Sequence, residues 1–242
     1  MDVLGDLVDP DRGDDALWIH RPGPRSRSWS GRQFCIDAWK TGNLLRHYGV
    51  HESSTVGVLD GPNEPGRSDA GTSPQALLAL FGAWVLGADV QVDPPAGADV
   101  RALVGPTAWL EDVETPPGCK ALGYGTPPED PTIAHFEGER WSENPVKFPA
   151  ETAPDDVALR TESGLFSHAD LLSAGQKVVE THDLGPDDRI ALSAPLSDPG
   201  TIVAGVVAPL LAGGTITLGG EATLTVADRD GENVIRPEMG RP

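Results

Sequence analysis

A chain of 242 residues corresponds to one large domain or two small ones. Folding at this size removes roughly 70 to 75% of the unfolded surface from water, so no staple of metal or disulfide is required. With 37 Asp and Glu against 18 Lys and Arg, the formal net charge is -19 and the pI is near 4.5, which excludes nucleic acid as a partner and disfavours anionic lipid.

Lysine is confined to Lys40, Lys120, Lys147 and Lys177, and arginine carries the remaining positive charge. This composition resembles that of a cytosolic protein adapted to concentrated salt, where screening tolerates excess acid, so the acidic surface is not read as a cation-binding site. Cys35 and Cys119 follow no metal-ligand spacing and are read as packing thiols. The acidic start of the chain lacks a basic flank followed by an apolar run, so no signal peptide is expected, and the expected location is cytoplasmic.

In chain order, residues 16–20 and 28–30 predict two short strands around the basic, proline-rich loop from His20 to Arg27. A helix follows, with Ser30 as its cap, Phe34, Ile36, Ala38, Leu44 and Leu45 on one face, and Gly49 at its stop. Residues 55–59 predict a strand, 60–73 a polar loop, 74–86 an apolar helix with proline in its first turn, and 89–93 a strand. The prolines between 94 and 154 leave that stretch as strands and loops or a linker. Beyond it come a strand at 156–161, a helix at 167–182, a strand at 189–193, a helix at 199–212 and a strand at 215–218. The uncharged stretch 199–220 is not expected to span a membrane, because Pro209 and Gly213-Gly214 break it and no Lys or Arg cluster flanks it.

Helix, strand, helix and strand recur in the two halves, ending once in Leu86-Gly87-Ala88-Asp89-Val90 and once in Ala212-Gly213-Gly214-Thr215-Ile216. The repeat predicts an α/β fold of two related subdomains with largely parallel sheets flanked by helices. The expected division is a first α/β unit at 1–95, a strand and loop connection at 96–154, and a second α/β unit at 155–242.

Three stretches carry a family resemblance: Arg27-Ser28-Trp29-Ser30-Gly31-Arg32-Gln33-Phe34, then 81–94 ending in Asp93-Pro94, then 187–196 with the run to Leu218. In order and spacing they resemble the N-terminal region of the adenylate-forming superfamily of acyl-CoA synthetases, luciferases and peptide-synthetase adenylation domains, over about two thirds of the chain. The resemblance implies the fold of the N-terminal domain of acyl-CoA synthetases. It also implies a Ser/Thr/Gly-rich phosphate loop after the strand at 156–161. Only fragments stand there: Thr161, Ser163 and Gly164 as the stump, and Ser167-His168 as the start of the next helix. The intervening glycines and lysine are missing, and Glu162 supplies the wrong sign for a phosphate cradle.

The sequence stops at Pro242, before the positions of the family's adenine-binding strand, magnesium-binding glutamate, ribose-binding aspartate and C-terminal domain. The expectation is therefore a degenerate, truncated synthetase-like protein, non-catalytic alone, with a binding or regulatory role. No catalytic residue, cofactor or metal site is expected. The alternatives are one subunit of a split AMP-forming acyl-CoA or acetyl-CoA ligase, with a protein partner supplying the missing synthetase domains, and a small acyl-group or CoA-binding protein. His47 and His51 have helical ligand spacing, but Gly49 between them ends the helix, so they read as surface histidines. His20, Arg21, Arg25 and Arg27 form the basic cluster of the chain, read as loop charges paired with neighbouring carboxylates.

Overall fold

The computed structural model describes residues 1–11, 17–21, 27–60, 72–231 and 233–242; at 17–21 and at Arg27 only the backbone is described. Two strands, β1 (Leu17–Arg21) and β2 (Arg27–Ser30), pair antiparallel and lead into α1 (Gly31–His47). Ser30 caps that helix, its hydroxyl accepting from the Gln33 N–H, and Gly49 leaves it at φ +82°. The side chains of the basic cluster His20, Arg21, Arg25 and Arg27 lie outside the described residues, as does most of the polar loop, residues 61–71.

Next come β3 (Thr55–Val58), α2 (Pro74–Val85) and β4 (Asp89–Val92), the last pairing parallel with β3. The helix α2 is buried along its whole length, as its apolar residues on every face require. It crosses α1 closely: a Cβ at Gly82 would stand 2.5 Å from the Thr41 methyl, so only glycine fits. The proline-punctuated middle supplies β5 (Ala102–Pro106), α3 (Thr107–Leu110), β6 (Lys120–Tyr124), β7 (Ala134–His135) and α4 (Phe136–Ser142), and its strands extend the first sheet.

The second half begins with β8 (Val157–Thr161) and β9 (Gly164–Ser167), an antiparallel hairpin that leads into α5 (His168–His182). Ser167 and Asp170 cap that helix reciprocally. Then follow β10 (Arg189–Leu192), a long helix formed by α6 (Pro199–Ile202), a π-helical segment (Val203–Val207) and α7 (Ala208–Ala212), and β11 (Thr215–Thr217). Pro209 explains the π segment: it lacks an N–H and crowds the carbonyl four residues back, so the helix widens until Ala208 N–H bonds Val203 O. The strands β12 (Leu224–Val226) and β13 (Val234–Ile235) complete the fold.

The two sheets have matching orders, β7-β6-β5-β3-β4-β8-β9 and β13-β12-β10-β11-β1-β2. Each unit therefore runs hairpin, helix, strand, helix, strand, and each unit's hairpin sits on the other unit's sheet. One hydrophobic cluster runs through both halves, including Phe34, Leu77, Trp84, Val90, Ile190 and Val207, and each such side chain contributes about 1.5 to 3 kcal/mol on burial. A smaller cluster, Val100, Leu103, Leu110, Ala121 and Ile133, covers part of the opposite face of the seven-stranded sheet. Cys35 is buried and Cys119 half-buried, and neither is in a disulfide.

Candidate functional site

In open α/β sheets ligands gather outside the carboxyl ends of the strands, where the strand order reverses. Here both sheets reverse at equivalent places: β4 and β5 leave β3 on opposite sides, and β11 and β12 leave β10 on opposite sides. The two reversal points face each other. Asp60, just past the end of β3, accepts the Leu196 N–H at 2.9 Å from the loop after β10, and accepts the Thr72 hydroxyl at 3.4 Å on the same oxygen. Its own N–H donates to the Asp93 carboxylate at 3.0 Å, and Asp93 ends β4 in the left-handed region at φ +46°. The other Asp60 oxygen, Oδ1, is buried and has no hydrogen-bond partner among the described residues. Burial pushes the Asp60 carboxyl up to about 6, with the Asp93 charge adding to the rise and the bonds from Leu196 and Thr72 opposing it.

The residues expected from the sequence as a phosphate-loop stump lie at the carboxyl end of β8. Thr161 and Gly164 pair across the hairpin, so Glu162 and Ser163 alone form the turn. Its polar groups are spent on one another: Ser163 N donates to Thr161 Oγ1 at 3.2 Å, the two hydroxyls meet at 2.8 Å, and the Thr161 hydroxyl reaches Gly164 O at 3.2 Å. Glu162 and Ser163 are exposed.

The structure brings Thr161, Ser163 and Gly164 together and separates His168 from them. Strand β9 carries the chain back along the sheet, putting His168 about 13 Å from the turn at four residues of strand rise, near the amino end of β8. His168 is fully buried there, Nδ1 accepting the Leu4 N–H at 3.2 Å. Burial lowers its pKa to about 4, against the opposing pull of Asp156 and Asp6. With Nδ1 accepting, the neutral ring carries its proton on Nε2, which has no partner among the described residues. His168 thus stands as a packed imidazole that fastens the N-terminal 3-10 turn, Leu4–Leu7.

Sequence reasoning passed over Asp60 and Asp93 as loop and strand-end residues. The signal was there in part, since two strands of one βαβ unit each run into an aspartate. His47 closes α1 and packs edge-on against Tyr48, while the His51 imidazole accepts from Ser53 N–H, so the pair does not converge. Among the described residues no group of three or more metal-ligating side chains gathers, and no helix is long and apolar enough to cross a membrane.

Neither a protein-family model nor a curated protein sequence matches the chain. Its fold does recur among solved structures. The anthranilate CoA ligase AuaEII, in complex with anthranoyl-AMP, superposes with a TM-score of 0.74 at 18% identity, covering 91% of this chain and 45% of that one. A benzoate CoA ligase from Burkholderia xenovorans LB400 gives 0.73 at 17% identity, covering 90% and 46%. The N-terminal domain of FACL13 from Mycobacterium tuberculosis gives 0.71 at 15% identity, covering 92% and 59%. The chain has the fold of the N-terminal domains of AMP-forming acyl-CoA and aryl-CoA ligases, and it spans less than half the length of the first two.

Proposed function

We propose that this is a degenerate acyl-CoA synthetase-like protein that forms no acyl adenylate by itself and serves a binding or regulatory role. The observation that carries the reading is the two-residue turn, Glu162 and Ser163, at the position where the resembled family has its phosphate loop. A phosphate cradle needs several backbone N–H groups converging on oxygen and a cation beside them. In this turn the Ser163 N–H is already bonded within the hairpin, the flanking charge is that of Glu162, and Asp60 and Asp93 occupy the same edge of the sheet. Without donors aimed at the transferring phosphoryl group, the rate of adenylate formation falls by orders of magnitude.

A second reading is one component of a split AMP-forming ligase whose ATP-binding parts come from a partner subunit. It is supported by the 45% and 46% of the ligase chains that this chain covers.

The test is thermal shift and calorimetry on the purified chain in molar KCl with ATP-Mg, AMP, CoA and a panel of acyl chains. Ligand at 100 times Kd adds about 2.7 kcal/mol of stability, a visible shift. The expected result is no shift with ATP-Mg or AMP and no pyrophosphate release with any acid. Nucleotide binding by the isolated chain overturns the first reading, and pyrophosphate release only after a second subunit is added establishes the second.

A further inference from the structure

At the opposite, amino edge of the seven-stranded sheet the surface opens into a cleft of about 640 Å³, well within the size range of small-molecule sites. Its walls are Ser53, Ser54 and Thr55 leading into β3, the loop from Pro95 to Arg101, and the turn at Pro117 and Gly118; Gln91 and Arg160 also line it. The sheet register explains the grouping: Arg101 N–H bonds Thr55 O at 2.8 Å, and Gln91 stands beside Arg160 on neighbouring strands.

The cleft contains two guanidinium groups, each held in place through part of its fork. Arg160 binds Asp89 through Nε at 2.7 Å and Nη2 at 2.8 Å. Arg101 donates through Nε to Gly49 O and through Nη1 to Gly118 O, both at 3.2 Å. Asp89 is 8% exposed and Arg160 40%, so the pair is buried on its acidic side and open on its basic side. Arg101 has only carbonyls as partners and no carboxylate within ion-pair distance among the described residues. In a chain of net charge -19, that is a cation whose charge the described part of the fold leaves uncompensated. Asp99 also lines the cleft, but it is exposed and its charge is screened by solvent.

We propose that this cleft is an anion site, in which a small metabolite places a carboxylate or phosphate against the guanidinium groups that line it, Arg101 and Arg160. The hydroxyls of Ser53 and Thr55 and the Gln91 amide supply neutral donors around it, and Pro95, Ala98 and Val100 supply an apolar wall. The guanidinium planes are fixed beforehand by Asp89, Gly49 and Gly118, so little side-chain freedom is lost on binding. This site shares no residue with the carboxyl-edge cluster and stands whether or not the chain binds nucleotide.

The experiment is calorimetric titration of the whole chain in molar KCl with pyrophosphate in one arm and citrate in the other. Binding in the pyrophosphate arm assigns a phosphorylated ligand, and binding in the citrate arm a carboxylated one. Arg101→Gln weakens the binding by about 10-fold or more, the loss expected of a charge-assisted hydrogen bond. Gln91→Leu, at a side chain with no hydrogen bond among the described residues, weakens it by about 3-fold with unfolding unchanged, which keeps the test valid if Arg101→Gln fails to fold. No binding in either arm, or binding that neither substitution alters, overturns the proposal.

Discussion

The two ends of the seven-stranded sheet handle charge in opposite ways. At the carboxyl end an aspartate is sealed against the loop after β10 with one oxygen unpartnered, and burial drives it toward its neutral, protonated form. At the amino end a buried base, His168, is driven by burial toward its neutral, unprotonated form. Of the charges that persist at the amino end, Arg101 and Arg160 are open to water, and the buried Asp89 is held by its pairing with Arg160. A buried position neutralises whatever ionisable group it receives, and a charge is kept only where solvent or a partner can reach it.

The largest effects separate the ends by pH. His168 titrates near 4 folded and near 6.5 unfolded, so its contribution is complete above pH 6.5 and about 3 kcal/mol is lost as pH falls through 4. Asp60 runs the other way: its folded pKa of about 6 exceeds the unfolded 3.8, so about 3 kcal/mol present below 3.8 is lost as pH rises through 6. Between pH 4 and 6 the two slopes oppose each other. Urea unfolding at fixed KCl will show His168→Gln losing stability with rising pH, relative to wild type, by about 1.4 kcal/mol per unit in that window. Asp60→Asn will show the reverse, gaining with rising pH by a similar slope. A variant curve parallel to the wild type over this window removes the corresponding group from the comparison.

Next in size is the ion pair at the amino end. Arg160→Ala strands the buried Asp89 carboxylate and costs about 2 kcal/mol, less than a fully buried pair because the guanidinium is 40% exposed. Asp89→Asn, which leaves the guanidinium open to solvent, costs about half as much in the same unfolding assay. Equal losses would mean that the two sides of the pair are equally buried. Smallest is the hairpin turn: four Gly/Ser residues inserted between Glu162 and Ser163 lower stability by about 1 kcal/mol, because the turn is exposed and loop closure grows slowly with length. A loss of several kcal/mol would show that the turn is a structural keystone.

The alternation of helices and strands was legible because its signals are local. Ser30 before α1, Pro74 opening α2, and Gly49 and Gly87 beyond the helix ends act within a turn of where they stand. The fold class followed from the repeat, and the solved ligase structures bear it out. What escaped was short or long-range. Strand β9 has four residues and β13 two, too few to display a period. The exchange of hairpins between sheets depends on β1 pairing with β11, a contact between distant segments that no local pattern encodes. The same holds for the site. The turn was expected from local residues, Thr161, Ser163 and Gly164, whose hydrogen bonds lie within the hairpin. The meeting of Asp60 with Leu196 needed the two halves to be docked.

That exchange of hairpins constrains how the chain can be made. Ile19 lies opposite Ile216, and the Leu4 N–H is satisfied by an imidazole 164 residues further on. On a ribosome adding roughly 5 to 20 residues per second, β1 waits about 10 to 40 s before its partner strand exists. During that interval the hairpin has no sheet to join, and its unpaired edge is open to other nascent chains. The hairpin can join its sheet only once β11 has emerged, so the beginning of this fold is completed by a strand made about 200 residues later.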